Sequence, residues 1–395
     1  MKILYHHRTQ AEDGQAVHIR SLIEAFRAEG HEVREAALVE RGTAAPEPEP
    51  VSAAAANGSA REEGAGWNWI GRVPRFVREL AEYGYTFPAR ARLLREGRAM
   101  DPDFVYERYA FGCGAGGQAA GRLRVPHVLE VNSPMVLELS KTRGLSFPRL
   151  AKRVEGGIFQ AANRVCVVTA VLGEMLVEMG VDRERLVVTP NGVHPELYAA
   201  PDREAARADL GLAGTEGPVL GFVGYYRDWH RLDLVIDGLC SPELAQAHLV
   251  LIGNGPVEEQ LRERAKQRGV AERLHFAGRR PHHRIPKVLP AFDVALIPAI
   301  NPYASALKLH EYMAAGLAVV APDQPNLREV LTDGENGLLT PPGDGDALCA
   351  RLAQLVQDAG LRERLGSRAR ASIDEQDLTW RGNVRRVIAA VEGLR

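Results

Sequence analysis

The segment Ser305-Ala-Leu-Lys-Leu-His-Glu-Tyr-Met-Ala-Ala-Gly316 carries the densest chemistry of the 395-residue chain. Lys308 and Glu311 are three positions apart, so a helix places both on one face. A lysine meets phosphate as a point charge, and a carboxylate two turns into the helix suits a ribose diol. An i, i+3 ion pair on a surface helix is the plainer alternative. Leu307, Leu309, Tyr312, Met313, Ala314 and Ala315 are apolar, however, which predicts a buried helix, and buried charges need partners. The helix is expected over 305–315, after a strand at 293–297 and an irregular loop, Ala299 to Ala304. Tyr303, Ala304, Ser305 and the free N–H groups of the first turn then lie at a strand's carboxyl end. That is where a doubly wound sheet binds ligands and where a helix dipole favours an anion such as diphosphate.

Other chemistry-bearing residues fall at similar junctions. Gly224-Tyr-Tyr-Arg-Asp-Trp-His-Arg231 follows a strand expected at 218–223. Arg227, with His230 or Arg231, either grips phosphate there or is merely solvated. Gly253-Asn254-Gly255-Pro256 either lets a ligand approach the backbone or makes a plain turn. Nearer the N-terminus, His7, Gly14, His18, Arg108 and Asn132 all sit close to strand carboxyl ends and are expected to meet at one crevice. Gly112-Cys-Gly-Ala-Gly-Gly117 matches G-x-G-x-x-G. It follows irregular sequence, and Glu130 is 13 residues on rather than about 20, so a backbone-close turn is expected there instead of a dinucleotide site.

The elements that must position these groups alternate strand and helix along the whole chain. Apolar runs such as Val219 to Val223 and Leu317 to Val320 are those of strands buried on both faces. Alternation of this kind implies parallel sheets with right-handed crossovers, and the length calls for two of them. The divide is expected in the polar stretch from Pro195 to Gly217. Residues 41–66, rich in Pro, Glu and Ala, read as a mobile insertion. Residues 72–98 hold seven arginines against three glutamates, with Val73, Phe76, Val77 and Leu80 at helical spacing. The plain expectation is a helix packing this stripe on the sheet; the sharper one is a basic surface meeting anionic lipid or a phosphate-bearing acceptor.

Composition narrows the class. With 45% apolar and 25% charged residues, the chain is that of a soluble globular protein. A net charge of −2 supplies no basic field for nucleic acid. Four scattered cysteines without C-x-x-C spacing point to reduced thiols in the cytoplasm and away from a cysteine zinc site. No signal-peptide core follows Met1 and no apolar run would span a bilayer, so the protein is expected to be cytoplasmic, with peripheral contact at the inner membrane face through Arg72 to Arg98.

In order and spacing, these landmarks resemble glycosyltransferase family 4 over nearly the whole chain. Ala162 to Val168 with Val188-Thr-Pro-Asn-Gly-Val193 is similar to the family's hinge, His194 replacing its Asp. Leu251 to Pro256, Leu274 to Gly278, Asp293 to Pro298, Glu311 to Gly316 and Glu329 to Leu338 follow in family order. The resemblance implies an α/β GT-B fold of two facing Rossmann-like, doubly wound parallel-sheet domains. Residues 1–195 would bind the acceptor and 196–375 the nucleotide sugar, with a C-terminal helix near 376–395 packing back on the first. It implies retaining transfer of a hexose-type sugar from a UDP- or GDP-linked donor, with no metal and no cofactor. The acceptor would be a glycan or lipid-linked hydroxyl in surface polysaccharide or glycolipid assembly.

On this pattern Arg227, Lys308 and Glu311 are catalytic. Gly224, His230, Arg231, Asn254, Gly255, Tyr303, Ala304, Ser305 and Leu309 complete the donor site, and His7, Gly14, His18, Arg108 and Asn132 serve the acceptor. Two departures stand out. Tyr303 occupies the place of the first acid in the family's E-x7-E, and His230-Arg-Leu-Asp233 stands for its K-G-x-D. The missing acid leaves a non-catalytic nucleotide-sugar sensor as an alternative, beside an NAD-dependent oxidoreductase.

Overall fold

The computed structural model describes residues 1–9, 14–37 and 74–394. The insertion expected at 41–66 lies outside them, as do Arg72 and Val73.

Two six-stranded sheets organise the chain. The first comprises β1 (Lys2–His7), β2 (Glu32–Ala37), β3 (Phe104–Arg108), β4 (His127–Val131), β5 (Arg164–Val167) and β6 (Leu186–Val188), in the order β2-β1-β3-β4-β5-β6. The second comprises β7 (Val219–Tyr225), β8 (His248–Asn254), β9 (Leu274–Gly278), β10 (Val294–Leu296), β11 (Ala318–Pro322) and β12 (Leu338–Thr340), in the order β12-β11-β10-β7-β8-β9. The strand pairings are parallel, as the both-faced apolar runs require. Strand order reverses between β1 and β3 in one sheet and between β7 and β10 in the other. Crevices for ligands open beyond the carboxyl ends at such reversals.

The chain divides into two compact units: Met1–Val167, Met175–Val187 and Val387–Arg395 form one, Val168–Glu174 and Val188–Arg386 the other. In the second unit the pleat separates two cores. Val219, Val250, Ile252, Ala295, Val319 and Ala321 point to one side, Leu220, Phe222, Leu249, Leu251, Leu296 and Val320 to the other. Each set buries fully against covering helices, which is the main stabilising term of the unit.

Three expectations need correction. The helix expected from Ser305 begins at Leu307, with Ala306 as its N-cap, because Ser305 is engaged by the backbone of Asn191. The stripe Phe76, Val77 and Leu80 does not pack on the sheet: on the Arg75–Gly84 helix these residues are 50%, 39% and 49% exposed, and the one buried side chain is Glu79. The glycine run after β3 is not only a turn. Gly112 turns with φ +70° and a helix, Ala115–Leu123, opens at once inside a β3–helix–β4 unit. Pattern reading missed this helix because its Ala and Gly residues have little apolar bulk. Strand β12 and the Ala359–Glu375 helix were also unanticipated.

Candidate functional site

The second unit's site lies where β7 and β10 end. The Leu307–Ala314 helix is fixed to β7 by the Val223 N–H, which donates to the Tyr312 hydroxyl at 2.8 Å. Lys308, in the helix's first turn, lies with its Nζ 3.8 Å from the centroid of the Phe222 ring. Gly224 makes this possible: a Cβ there would stand 2.7 Å from Nζ. Burial drives the Lys308 ammonium down to about 7, against the pull of the Glu311 charge. Among the described residues no carboxylate hydrogen-bonds it, so the site holds a cation of unsettled charge beside an open strand end. One turn on, Glu311 is 4% exposed, and His282 Nε2 lies 2.6 Å from its Oε1.

The loop before this helix is pinned from three directions. Thr169 Oγ1 donates to the Tyr303 carbonyl at 2.8 Å, Asn326 Nδ2 to the Ala304 carbonyl at 2.8 Å, and Asn191 Nδ2 to the Ser305 carbonyl at 2.7 Å. Tyr303 itself is buried, and Leu309 packs in the core. This bracing holds the backbone at the helix entrance still without any ligand, which is what a preorganised site needs.

The loop after β7 separates its basic residues. Arg227 is exposed and stacks its guanidinium 4.7 Å from the Tyr225 ring centroid. His230 is buried on Trp229, and burial, with the Lys308 charge, pushes it down to about 3. It is a neutral packing group and no phosphate-gripping cation. Arg231 is committed to Asp233, Nε to Oδ1 at 3.0 Å. Asn254 and Gly255 explain themselves by backbone approach. The Asn254 carbonyl accepts the Tyr226 N–H at 2.7 Å, and a Cβ on Gly255 would stand 2.1 Å from the Tyr226 oxygen.

In the first unit the pleat sorts the polar residues into two sets. On one face Glu130 gathers His18 Nε2 at 2.9 Å, the Arg108 guanidinium and the Tyr106 hydroxyl at 2.9 Å. Burial alone would raise the Glu130 carboxyl, but His18 and Arg108 bring it to about 2. His7 instead bonds Glu35 at 2.8 Å, Gly14 opens the Gly14–Ala28 helix in open space, and the buried Asn132 Oδ1 has no partner among the described residues.

On the other face Glu107 joins His6 Nδ1 at 2.8 Å, His127 Nε2 at 3.1 Å and the Gly116 N–H at 2.9 Å. This last bond disposes of the dinucleotide reading, although the helix it needs is present. Glu107 fills the space above Gly116, where a Cβ would come within 2.4 Å of Oε2, and its charge would repel a pyrophosphate. Among the described residues His6, Glu107 and Cys113 bring metal-ligand atoms within 4.8 Å of one another. Glu107 already accepts from three donors, and burial pushes the Cys113 thiol up to about 12, so the carboxylate is engaged in the core and the thiol is held in its protonated form.

Sequence reasoning missed His282, Thr169 and Asn326. His282 lies in an unpatterned Pro-His-His-Arg run, and the other two act on backbone far away in sequence, so no local signal marks them.

Known proteins resemble this chain in sequence and in fold. The model described as Glycosyltransferase Family 4 matches residues 13–197, and the one described as Glycosyl transferases group 1 matches 202–372. A D-inositol 3-phosphate glycosyltransferase of Nocardia farcinica is 30% identical over 297 residues, covering 71% of this chain and 65% of the relative. A 2-deoxystreptamine N-acetyl-D-glucosaminyltransferase of Streptomyces fradiae is 28% identical, covering 66% and 64%. The chain thus spans about two thirds of the length of the curated relatives it matches, just short of that share for the first. The crystal structure of Anabaena Alr3699/HepE in complex with UDP superposes with a TM-score of 0.72 at 18% identity, over 100% of both chains. The two sheets, their strand orders and both family matches lead to one conclusion: the chain belongs to glycosyltransferase family 4 and has the GT-B fold.

Proposed function

We propose that this chain is a retaining glycosyltransferase that moves a hexose-type sugar from a UDP- or GDP-linked donor to an acceptor hydroxyl. The observation that carries this reading is Lys308, a half-buried lysine whose ammonium no carboxylate hydrogen-bonds among the described residues, at the switch point of the second sheet and one turn from the Glu311 carboxylate. A donor diphosphate would supply the missing negative charge, and the ribose diol would meet Glu311. The acceptor hydroxyl attacks the anomeric carbon from the side the diphosphate leaves. The old C–O bond breaks as the new one forms, and the proton passes to the departing phosphate oxygen. Lys308 and Arg227 neutralise the charge that builds there, so electrostatics and positioning are the main catalytic terms, and neither a metal nor a cofactor is called on. In the first unit, the Glu130–Arg108–His18 cluster is the acceptor-side candidate.

Thermal unfolding with UDP, GDP, ADP, their sugars and NAD tests this. The matching nucleotide at 100 times its Kd should add about 2.7 kcal/mol of stability. Stabilisation by NAD alone would overturn the proposal, and nucleotide-sugar binding with neither transfer nor hydrolysis would favour the sensor.

The acceptor belongs to glycolipid or surface-glycan assembly on this reading, with the first unit resting on the membrane. Support comes from the exposed Phe76, Leu80 and Phe87, with Phe147 and Leu150 beside them. Glu79 ties the two segments by accepting the Ser146 and Phe147 N–H groups at 2.6 and 3.2 Å. Arg75 and Arg78 lie on the same helix. No described helix is long and apolar enough to cross a membrane. Flotation with vesicles rich in anionic lipid should be lost on Arg75→Ala with Arg78→Ala; wild-type protein that stays unbound overturns the membrane contact.

A further inference from the structure

We infer that His282 is a positioning residue of the ribose subsite, acting through Glu311 to favour ribonucleotides over 2′-deoxyribonucleotides. The inference rests on the donor-site reading above. A carboxylate offers about four lone-pair directions. Among the described residues, Glu311 receives one side-chain hydrogen bond, from His282 Nε2 at 2.6 Å. The remaining directions suit the two donors of a cis-diol. A carboxylate on a flexible side chain can rotate about its last torsion, and the His282 bond removes that freedom before any ligand arrives. For this bond the Nε2 atom carries the proton, since the carboxylate only accepts.

The turn that carries His282 is built to hold it. Strand β9 ends at Gly278 with φ +71°, and Pro281 leads into the turn His282–Arg284. Arg280 Nη1 donates to the Ala277 carbonyl at 2.7 Å and its Nη2 to the Asp209 carbonyl at 3.2 Å. Arg284 reaches the Asp209 carboxylate at 3.3 Å. The imidazole is 37% exposed while the Glu311 side chain is 6% exposed, so His282 stands between the carboxylate and solvent. The neighbouring His283 makes no such contact with Glu311. Selectivity of this kind is strong because a site built for a hydroxyl leaves its own polar group unpaired when the hydroxyl is missing.

Calorimetry with UDP and 2′-deoxy-UDP, and with GDP and 2′-deoxy-GDP, tests the inference on wild type, His282→Ala and His282→Gln. Wild type should prefer the ribonucleotide by about tenfold or more. His282→Ala should cut that preference to about threefold or less, weakening the 2′-deoxynucleotide, which keeps its 3′-hydroxyl, less than the ribonucleotide. His282→Gln, whose amide can donate to Glu311, should recover most of it. Equal weakening of both nucleotides, or an undiminished preference in His282→Ala, overturns the inference while the donor site stands. Absence of nucleotide binding by wild type overturns the donor-site reading and the inference with it.

Discussion

The Lys308 ammonium sits 3.8 Å from the centroid of the Phe222 ring, a lysine whose neighbour is an aromatic face rather than an acid. A cation–π contact offsets about 2 kcal/mol when desolvated, which is less than the cost of burying an ammonium. The site therefore rests with its charge in balance, at about 7.

From this follows a pH dependence of nucleotide binding. Below pH 7 Lys308 is already charged and affinity should be flat. Between pH 7 and the usual lysine value of 10.5 a proton must enter with the diphosphate, so affinity should fall by up to about tenfold per pH unit. Calorimetry at pH 8.5 in buffers of different ionisation enthalpy should register uptake of up to about one proton in wild type and none in Lys308→Met. In the same window the ligand-free fold binds fewer protons at Lys308 than the unfolded chain does, so its stability should rise with pH there.

Lys308→Ala and Arg227→Ala should each lower kcat/KM by roughly two to three decades. Lys308→Ala should lower Tm little, because among the described residues no carboxylate hydrogen-bonds the partly buried ammonium it removes. Wild-type turnover in both variants would reject their placement in the donor site.

Gly224→Ala should weaken nucleotide binding through Lys308. The new Cβ would stand 2.7 Å from Nζ, and the φ of +148° strains any L side chain. A second consequence is a loss of roughly 1–3 kcal/mol in urea unfolding. Unchanged nucleotide affinity would mean that Lys308 moves aside freely.

Acid should unfold the first unit early. The Glu107 and Glu130 carboxyls, whose ordinary value is 4.5, are each held near 2 in the fold. Their folded-state values are depressed, so the stability they contribute is complete above pH 4.5 and drains away as pH falls toward 2. Urea midpoints between pH 7 and pH 3 should trace this loss. Glu130→Gln should cost about 3–5 kcal/mol at pH 7, since it leaves Arg108 and His18 buried without their anion, and it should flatten the acid dependence.

Much of this protein was legible in its residues. Apolar runs such as Val219 to Val223 have the pattern of strands covered on both faces, and their alternation with amphipathic helices implies parallel sheets. Lys308 and Glu311 share a helix face by local geometry alone, and the order of the family landmarks was enough to name the family. Periodicity failed where bulk was missing, as in Ala115–Leu123, whose alanines and glycines give no apolar stripe. Burial is a property of what packs above a helix, so only the folded chain could leave Phe76 and Leu80 in solvent. The partners of charged groups belong to the tertiary structure for the same reason. Arg227 and Arg231 look alike in sequence, yet one stacks on Tyr225 and the other is tied to Asp233. Glu107 closes the glycine motif from nine residues away, and His282 meets Glu311 across 29. Local sequence could set Lys308 and Glu311 side by side, but only long-range packing could decide what faces them.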